Sequence, residues 1–243
     1  MPKSPNLLLI ITLLIFVYGN AFSQRSRKYI PDNERFSAGV IFGLNNAQLD
    51  GDYHIGFDKF GLTAGIRGIA RFTPRLDLNI EMLYSKKGSK IFPNTGAFQV
   101  NPKKSRIIDL TYVDAPIYFK WLLKDELNTW HIELGGVYSR LIKTEITEQI
   151  NNPEREFVYE TVVDDFNKDD IAILAGFGHT WQSGWAIHLR YAFGLTKFYE
   201  NELITEPLPG SVAHKNVQFL RNYYYSLAVS YTIFQREIKK KRR

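Results

Sequence analysis

The feature that most constrains this fold is a two-residue alternation of apolar and polar side chains, repeated in eight segments within residues 36–234. In the last segment, Tyr223 and Leu227 fall on one face, whereas Ser226 and Ser230 fall on the other. Successive side chains of a β-strand point to opposite faces, so each segment predicts a strand with one apolar and one small or polar face. A strand that crosses an outer membrane has this pattern, because lipid touches one face and the barrel interior touches the other.

The connections between these segments alternate in length. The predicted strands are residues 36–44, 60–72, 75–87, 106–123, 129–143, 170–181, 185–198 and 217–234. Short links at 73–74, 124–128 and 182–184 are rich in turn-forming or polar residues. The long links are residues 45–59, 88–105, 144–169 and 199–216. Short turns face the periplasm in such barrels, and an even strand number brings both termini to that rim. The sequence therefore predicts an all-β fold, an eight-stranded antiparallel transmembrane up-and-down β-barrel in the outer membrane with both termini periplasmic.

The first residues predict a route to that membrane. Lys3 begins a short basic region, residues 7–17 form an apolar run, and small residues precede Gln24. This pattern predicts a secretory signal peptide over residues 1–23. The alternative is a membrane anchor, but the apolar run is shorter than the about 20 residues that a spanning helix needs.

The basic residues are concentrated at the two ends of the predicted barrel. We expect a basic periplasmic N-terminal segment at 24–35, the barrel at 36–234, and a basic periplasmic tail at 235–243. The basic residues of these two end segments therefore account for the positive formal net charge of +6, and the barrel residues do not. A nucleic-acid partner is not expected, because a secreted chain seldom meets nucleic acid where it works. The chain has no cysteine, which excludes disulfides and thiolate chemistry.

Charged side chains recur on the polar faces of the predicted strands. A charged side chain that faces lipid carries a high free-energy cost, so we expect these side chains to face the lumen and to form ion pairs there. We call the following residues the lumen charge network: Arg67, Arg71, Asp77, Glu81, Asp114, Lys120, Glu133, His188 and Arg190. His131 is also expected to be a buried partner in the lumen. An eight-stranded barrel is filled by its own side chains and leaves no wide aqueous channel.

The four tryptophans flank the short links. Trp121, Trp130, Trp181 and Trp185 are therefore predicted to form an aromatic girdle at the periplasmic membrane interface. The alternative is that they cap the core of a soluble protein.

No catalytic, cofactor-binding or metal-binding residue is predicted. His54 has aspartates nearby in sequence, but a polar loop is the commoner explanation. No HxH or HExxH motif occurs. The acidic segment 144–169 could hold calcium, although solvation is favoured because the regular spacing of a calcium loop is lacking.

Three segments resemble a known group of proteins. The end of the predicted signal at residues 21–24, the glycine-punctuated segment Arg35–Asn45 and the segment Leu110–Trp121 resemble small outer-membrane β-barrel domain proteins of Bacteroidetes, including the PorT family. In Leu110–Trp121, Asp114 lies two residues before a proline and Lys120 lies four after it. We expect a non-enzymatic outer-membrane β-barrel that acts as a scaffold or interaction protein of the cell envelope, with outer-membrane lipid and periplasmic or secretion-system proteins as partners. The resemblance implies support of type IX secretion.

Two other classes of function are open at this stage. One is an outer-membrane barrel enzyme with catalytic groups near the outer rim. The other is a soluble, lipocalin-like lipid-binding barrel, which would keep apolar side chains inside.

Overall fold

The computed structural model describes residues 35–52, 56–91, 105–126, 128–149, 159–200, 217 and 219–233. The predicted signal peptide, the basic tail 235–243 and all of the segment 24–35 except Arg35 lie outside these residues. Within the described ranges, no helix is long and apolar enough to cross a membrane.

The alternating segments form antiparallel strands that close into a barrel. The described strands are β1 (Phe36–Asp50), β2 (Lys59–Thr73), β3 (Leu76–Ile91), β4 (Ser105–Leu122), β5 (Thr129–Gln149), β6 (Asp169–Thr180), β7 (Trp185–Gly194), β8 (Tyr199–Glu200) and β9 (Phe219–Thr232). The order is β1-β2-β3-β4-β5-β6-β7-β9, and β9 pairs with β1. The short β8 pairs with the first residues of β9, beyond the end of β7. The predicted all-β, eight-stranded antiparallel barrel is confirmed.

Both described ends of the chain lie at one rim. Gly39 near the start of β1 pairs with Thr232 at the end of β9. The same rim carries the links that join β2 to β3, β4 to β5 and β6 to β7. We call it the short-turn rim.

The two faces of each strand differ as the alternation predicts. In β4, Ile117, Phe119 and Trp121 are exposed on the outer surface, whereas Asp114 and Lys120 are buried. Exposed large apolar side chains recur on the other barrel strands, so the outer surface carries a continuous apolar band. The polar faces line the lumen.

Several strands continue beyond their predicted ends. β1 ends at Asp50 instead of 44, β3 at Ile91 instead of 87, and β5 at Gln149 instead of 143. The prediction that residues 144–169 form one link is therefore wrong, because β5 occupies its start and a 3-10 helix occupies Tyr159–Asp165. β7 ends at Gly194, before its predicted end at 198.

An apolar core explains the longer strands. We call it the apolar crown, and it lies at the end of the barrel away from the short-turn rim. Its buried members are Leu49, Ile108, Leu110, Tyr112, Leu141, Phe166, Phe198, Tyr199, Val217 and Leu220. Ile146 of β5 and Val162 of the 3-10 helix pack against it. Burial of these side chains stabilises strand extensions that the alternation alone does not mark.

Candidate functional site

The structure brings the lumen charge network into the barrel interior. β2 carries Arg67 and Arg71, β3 carries Asp77 and Glu81, β4 carries Asp114 and Lys120, β5 carries Glu133, and β7 carries His188 and Arg190. All are buried except Arg71, which is half-buried. Their contacts divide them into one central cluster and two smaller groups.

Arg190 is the centre of the main cluster. Its Nη1 and Nη2 donate to Oε2 and Oε1 of Glu81 at 2.8 and 3.0 Å, and its Nε donates to Glu133 Oε2 at 2.8 Å. The Tyr118 hydroxyl accepts from Arg190 Nη2 at 2.6 Å and donates to Glu81 Oε1 at 2.6 Å. The guanidinium of Arg190 therefore connects β7 to β3, β4 and β5 across the lumen.

Two histidines share the other oxygen of Glu133. His188 Nδ1 lies 2.8 Å and His131 Nε2 lies 3.3 Å from Glu133 Oε1, and the two ring nitrogens lie 3.3 Å apart. Both imidazoles are fully buried. Arg67 donates through Nη1 to Ser230 Oγ at 2.6 Å, and the same nitrogen lies 3.2 Å from His188 Nε2. His131 thus belongs to the cluster, as expected.

Glycines on β6 make room for these side chains. Gly178 pairs with His131 on one side and His188 on the other, and Gly176 lies between Glu133 and Arg190 in the same way. A Cβ at Gly178 would lie 2.6 Å from His131 Nε2, and one at Gly176 would lie 2.9 Å from Glu133 Oε2. The space beside β6 is therefore filled by the cluster.

The first smaller group lies toward the short-turn rim. Asp77 accepts from Arg71 Nε at 3.3 Å, and Lys120 Nζ lies 3.8 Å from its other oxygen.

The second smaller group contains a residue that the sequence analysis missed. Lys87 Nζ donates to Asp114 Oδ1 at 2.8 Å and to Ser139 Oγ at 3.2 Å. The same ammonium lies over the rings of Tyr112 and Tyr224, at 4.8 and 4.4 Å from their centroids. Lys87 lies six residues after Glu81 in β3, so the two side chains point to the same face of the strand. This two-residue periodicity could have identified Lys87 as a lumen residue from the sequence.

The acidic residues predicted for one solvated link lie in different elements. Glu145 and Glu148 belong to β5, and Asp169 is the first residue of β6. Lys143 Nζ lies 2.7 Å from Glu145, Arg106 Nε lies 2.5 Å from Glu148, and Arg140 Nη1 lies 2.6 Å from Asp169. Each of these three carboxylates therefore has a cationic partner, and calcium binding by this segment stays untested.

Among the described residues, His179 is the histidine that does not join the cluster. His54 lies outside the described residues, as does His214. His179 is half-buried, with its ring centroid 4.7 Å from that of Trp130 and 4.9 Å from that of Trp181.

The four tryptophans point outward near the short-turn rim. Trp121 is the last residue of β4 that pairs with β3, and Trp130, Trp181 and Trp185 lie at or next to the ends of β5, β6 and β7. Between 41% and 56% of each residue's surface is exposed. Trp130 stacks on Phe177 with centroids 4.8 Å apart. That these residues form a girdle at the periplasmic membrane interface stays a prediction.

The side chains of the network fill the lumen, and their positive and negative charges are paired. Each of its four carboxylates contacts at least one cationic group: Asp77, Glu81, Asp114 and Glu133. Buried charges that are paired and hydrogen-bonded in this way fix the relative positions of the strands that carry them.

Comparison with known proteins gives one family match. Residues 22–200 match the family described as outer membrane protein beta-barrel domain. No curated protein matches the chain.

Solved structures of three outer-membrane proteins are similar to this chain at low identity. Ail, the attachment invasion locus protein of Yersinia pestis, is 9% identical over 82% of this chain and 99% of that chain, with a TM-score of 0.41. OprG from Pseudomonas aeruginosa is 10% identical over 83% and 95%, with a TM-score of 0.39. The N-terminal β-barrel domain of OprF from the same organism is 9% identical over 81% and 98%, with a TM-score of 0.32.

Proposed function

The chain belongs to the outer membrane protein beta-barrel domain family, and from this premise we propose that it is a non-enzymatic scaffold that presents contacts to other proteins of the cell envelope. In this proposal, the barrel holds the short-turn rim and the apolar crown at a fixed separation. Partners bind at the rims, and outer-membrane lipid covers the apolar band.

The observation that carries the proposal is the Arg190 cluster. It ties β3, β5 and β7 together through Glu81 and Glu133 inside the lumen. A barrel filled by paired ions serves as a stiff support. The outward apolar face also favours this function over the lipocalin-like alternative, in which apolar side chains would line the interior.

The sharper form of the proposal is support of type IX secretion by a PorT-like protein of Bacteroidetes. Its basis is the resemblance of Arg35–Asn45 and Leu110–Trp121 to that group. Residues 1–23 would direct the chain to export and then be removed. Both termini would face the periplasm, where the basic tail 235–243 meets secretion proteins.

Deletion of the protein from its native strain tests this proposal. We expect type IX cargo to accumulate in the periplasm and to be secreted again when the full chain is restored. A matched variant with the basic residues of 235–243 replaced by glutamine keeps the length of the tail and should restore secretion less well. Normal secretion in the deletion strain would overturn the secretion role.

The enzyme alternative is tested in the same strain. The variant His54→Ala should restore the phenotype as well as the unmodified chain. Failure of this variant, with normal amounts of folded barrel, would favour the enzyme alternative over the scaffold.

A further inference from the structure

We propose that His131, Glu133 and His188 form a binding site for a divalent transition-metal ion in the lumen. The three facing atoms are His131 Nε2, His188 Nδ1 and Glu133 Oε1, and their pairwise distances are 3.3, 3.3 and 2.8 Å. Metal–ligand bonds of about 2.1 Å at tetrahedral or octahedral angles place neighbouring ligand atoms about 3.0–3.4 Å apart. Two edges of the triangle fall in this range and the third, between His188 Nδ1 and Glu133 Oε1, is slightly shorter, so the triangle is close to the size of one face of a coordination polyhedron.

The ligand set selects the class of ion. Two imidazoles and one carboxylate suit zinc or ferrous iron, whereas calcium and magnesium prefer all-oxygen sites. The sequence did not reveal the site because the ligands lie on β5 and β7, which are separated in the barrel by β6.

The outer partners of the histidines also fit a metal site. Ser230 Oγ lies 2.8 Å from His188 Nε2, and Thr180 Oγ1 lies 3.2 Å from His131 Nδ1. When the facing nitrogens bind an ion, each outer nitrogen keeps its proton and donates a hydrogen bond to its hydroxyl. For His188, this N–H then lies beside the Nη1 donor of Arg67. Arg190 holds Glu133 Oε2, which leaves Oε1 directed at the two rings.

The triangle lies close to the short-turn rim. His131 is the third residue of β5, and its partner Thr180 is the last residue of β6. At a rise of about 3.3 Å per residue, His131 lies about 7 Å from the end of its strand. Gly178 pairs with both His131 and His188, so β6 places no side chain between the two rings.

Two arginines beside the triangle, Arg67 and Arg190, affect its affinity for a metal ion. Arg67 Nη1 lies 3.2 Å from His188 Nε2, and Arg190 contacts Glu133 directly. Arg67 also donates to Ser230 and to Asn79, so its charge stays in place when an ion binds. Its repulsion of the ion must weaken binding, and the variant Arg67→Gln should bind the ion more tightly.

Cobalt provides the test, because Co²⁺ takes the same ligands as zinc and absorbs visible light when coordinated. The full chain is purified from membranes in detergent, stripped with a chelator and titrated with Co²⁺. We expect saturable binding of a single ion per chain, with displacement by zinc. The variants Glu133→Gln and His188→Asn should lose the absorption band, and Ser230→Ala should weaken binding by about 10–100-fold.

Two sets of variants serve as controls for the cobalt titration. A variant with His54, His179 and His214 all replaced by asparagine removes the other three histidines and should bind Co²⁺ like the unmodified chain. If ligand variants fail to fold, Ser230→Ala and Arg67→Gln still test the site, because they change affinity in opposite directions. Absence of saturable binding, or binding that depends on the other three histidines instead of Glu133, would overturn the proposal. The cobalt titration tests the metal site, whereas the secretion assay tests the proposed scaffold function. Either proposal can therefore fail without the other.

Discussion

Arg190 of β7 binds Glu81 of β3 through both terminal nitrogens, although the two strands lie on opposite sides of the eight-stranded ring. Removal of one partner from a buried ion pair costs about 3–5 kcal/mol when the other charge is left alone. Glu81→Gln leaves Arg190 with the carboxylate of Glu133, so we expect this variant to lower the free energy of unfolding by up to this amount. Urea denaturation of the barrel in lipid vesicles, followed by tryptophan fluorescence, measures it.

An exposed ion pair is the matched control for this prediction. Lys143 and Glu145 lie 2.7 Å apart on β5 with more than half of each side chain exposed, and Lys143→Gln should leave the unfolding free energy unchanged within error. The double variant Glu81→Met with Arg190→Met should be more stable than Arg190→Met alone, because Glu133 loses Arg190 in both but only the single variant also leaves Glu81 as a buried charge without its guanidinium. Equal losses for Glu81→Gln and Lys143→Gln would contradict the central role of the Arg190 cluster.

Two adjacent glycines in β5 provide a test of packing against the lumen. A Cβ at Gly135 would lie 2.2 Å from the Ile117 carbonyl oxygen and 2.5 Å from Tyr118 Cα, whereas one at Gly136 would come no closer than 3.5 Å to any atom. We expect Gly135→Ala to destabilise the barrel by about 1–3 kcal/mol, as overpacked interiors do. Gly136→Ala is the neighbouring control and should be tolerated. Similar unfolding free energies for the two variants would show that Tyr118 and β4 can move aside.

The direction of side chains could be predicted from the sequence because a strand has a period of two residues. Once Trp121 was assigned to the outer face of β4, Asp114 and Lys120 had to face the lumen. The strand count followed from the turns for a similar reason, since residues such as those at 182–184 interrupt the alternation locally.

Partner choice and strand ends could not be predicted in this way. Asp114 on β4 binds Lys87 on β3, and this pairing depends on the stagger between the two strands. The end of β5 depends on the apolar crown, in which Ile146 packs against residues distant in sequence. The alternation contains neither the stagger nor these distant contacts.

The tryptophans allow a direct test of membrane position. All four in the chain belong to the predicted girdle, so the tryptophan part of the intrinsic fluorescence comes from these positions alone. We expect lipids brominated near the headgroup to quench this fluorescence more than lipids brominated near the ends of the acyl chains. Single Trp→Phe variants assign the signal to each position. Stronger quenching by the deep bromines would place the short-turn rim inside the hydrocarbon region and contradict an interfacial girdle.

The orientation of the barrel can be measured with introduced cysteines, because the chain has none of its own. Ser183 lies in the short turn between β6 and β7, and Asp164 lies exposed in the 3-10 helix beyond β5. With the short-turn rim in the periplasm, a membrane-impermeant maleimide should label Asp164→Cys on intact cells. It should label Ser183→Cys only after the outer membrane is permeabilised. Leu189→Cys, on the apolar band, is the control that should stay unlabelled in both states, since lipid covers it. Labelling of Ser183→Cys but not Asp164→Cys on intact cells would mean that the barrel is inserted the other way round.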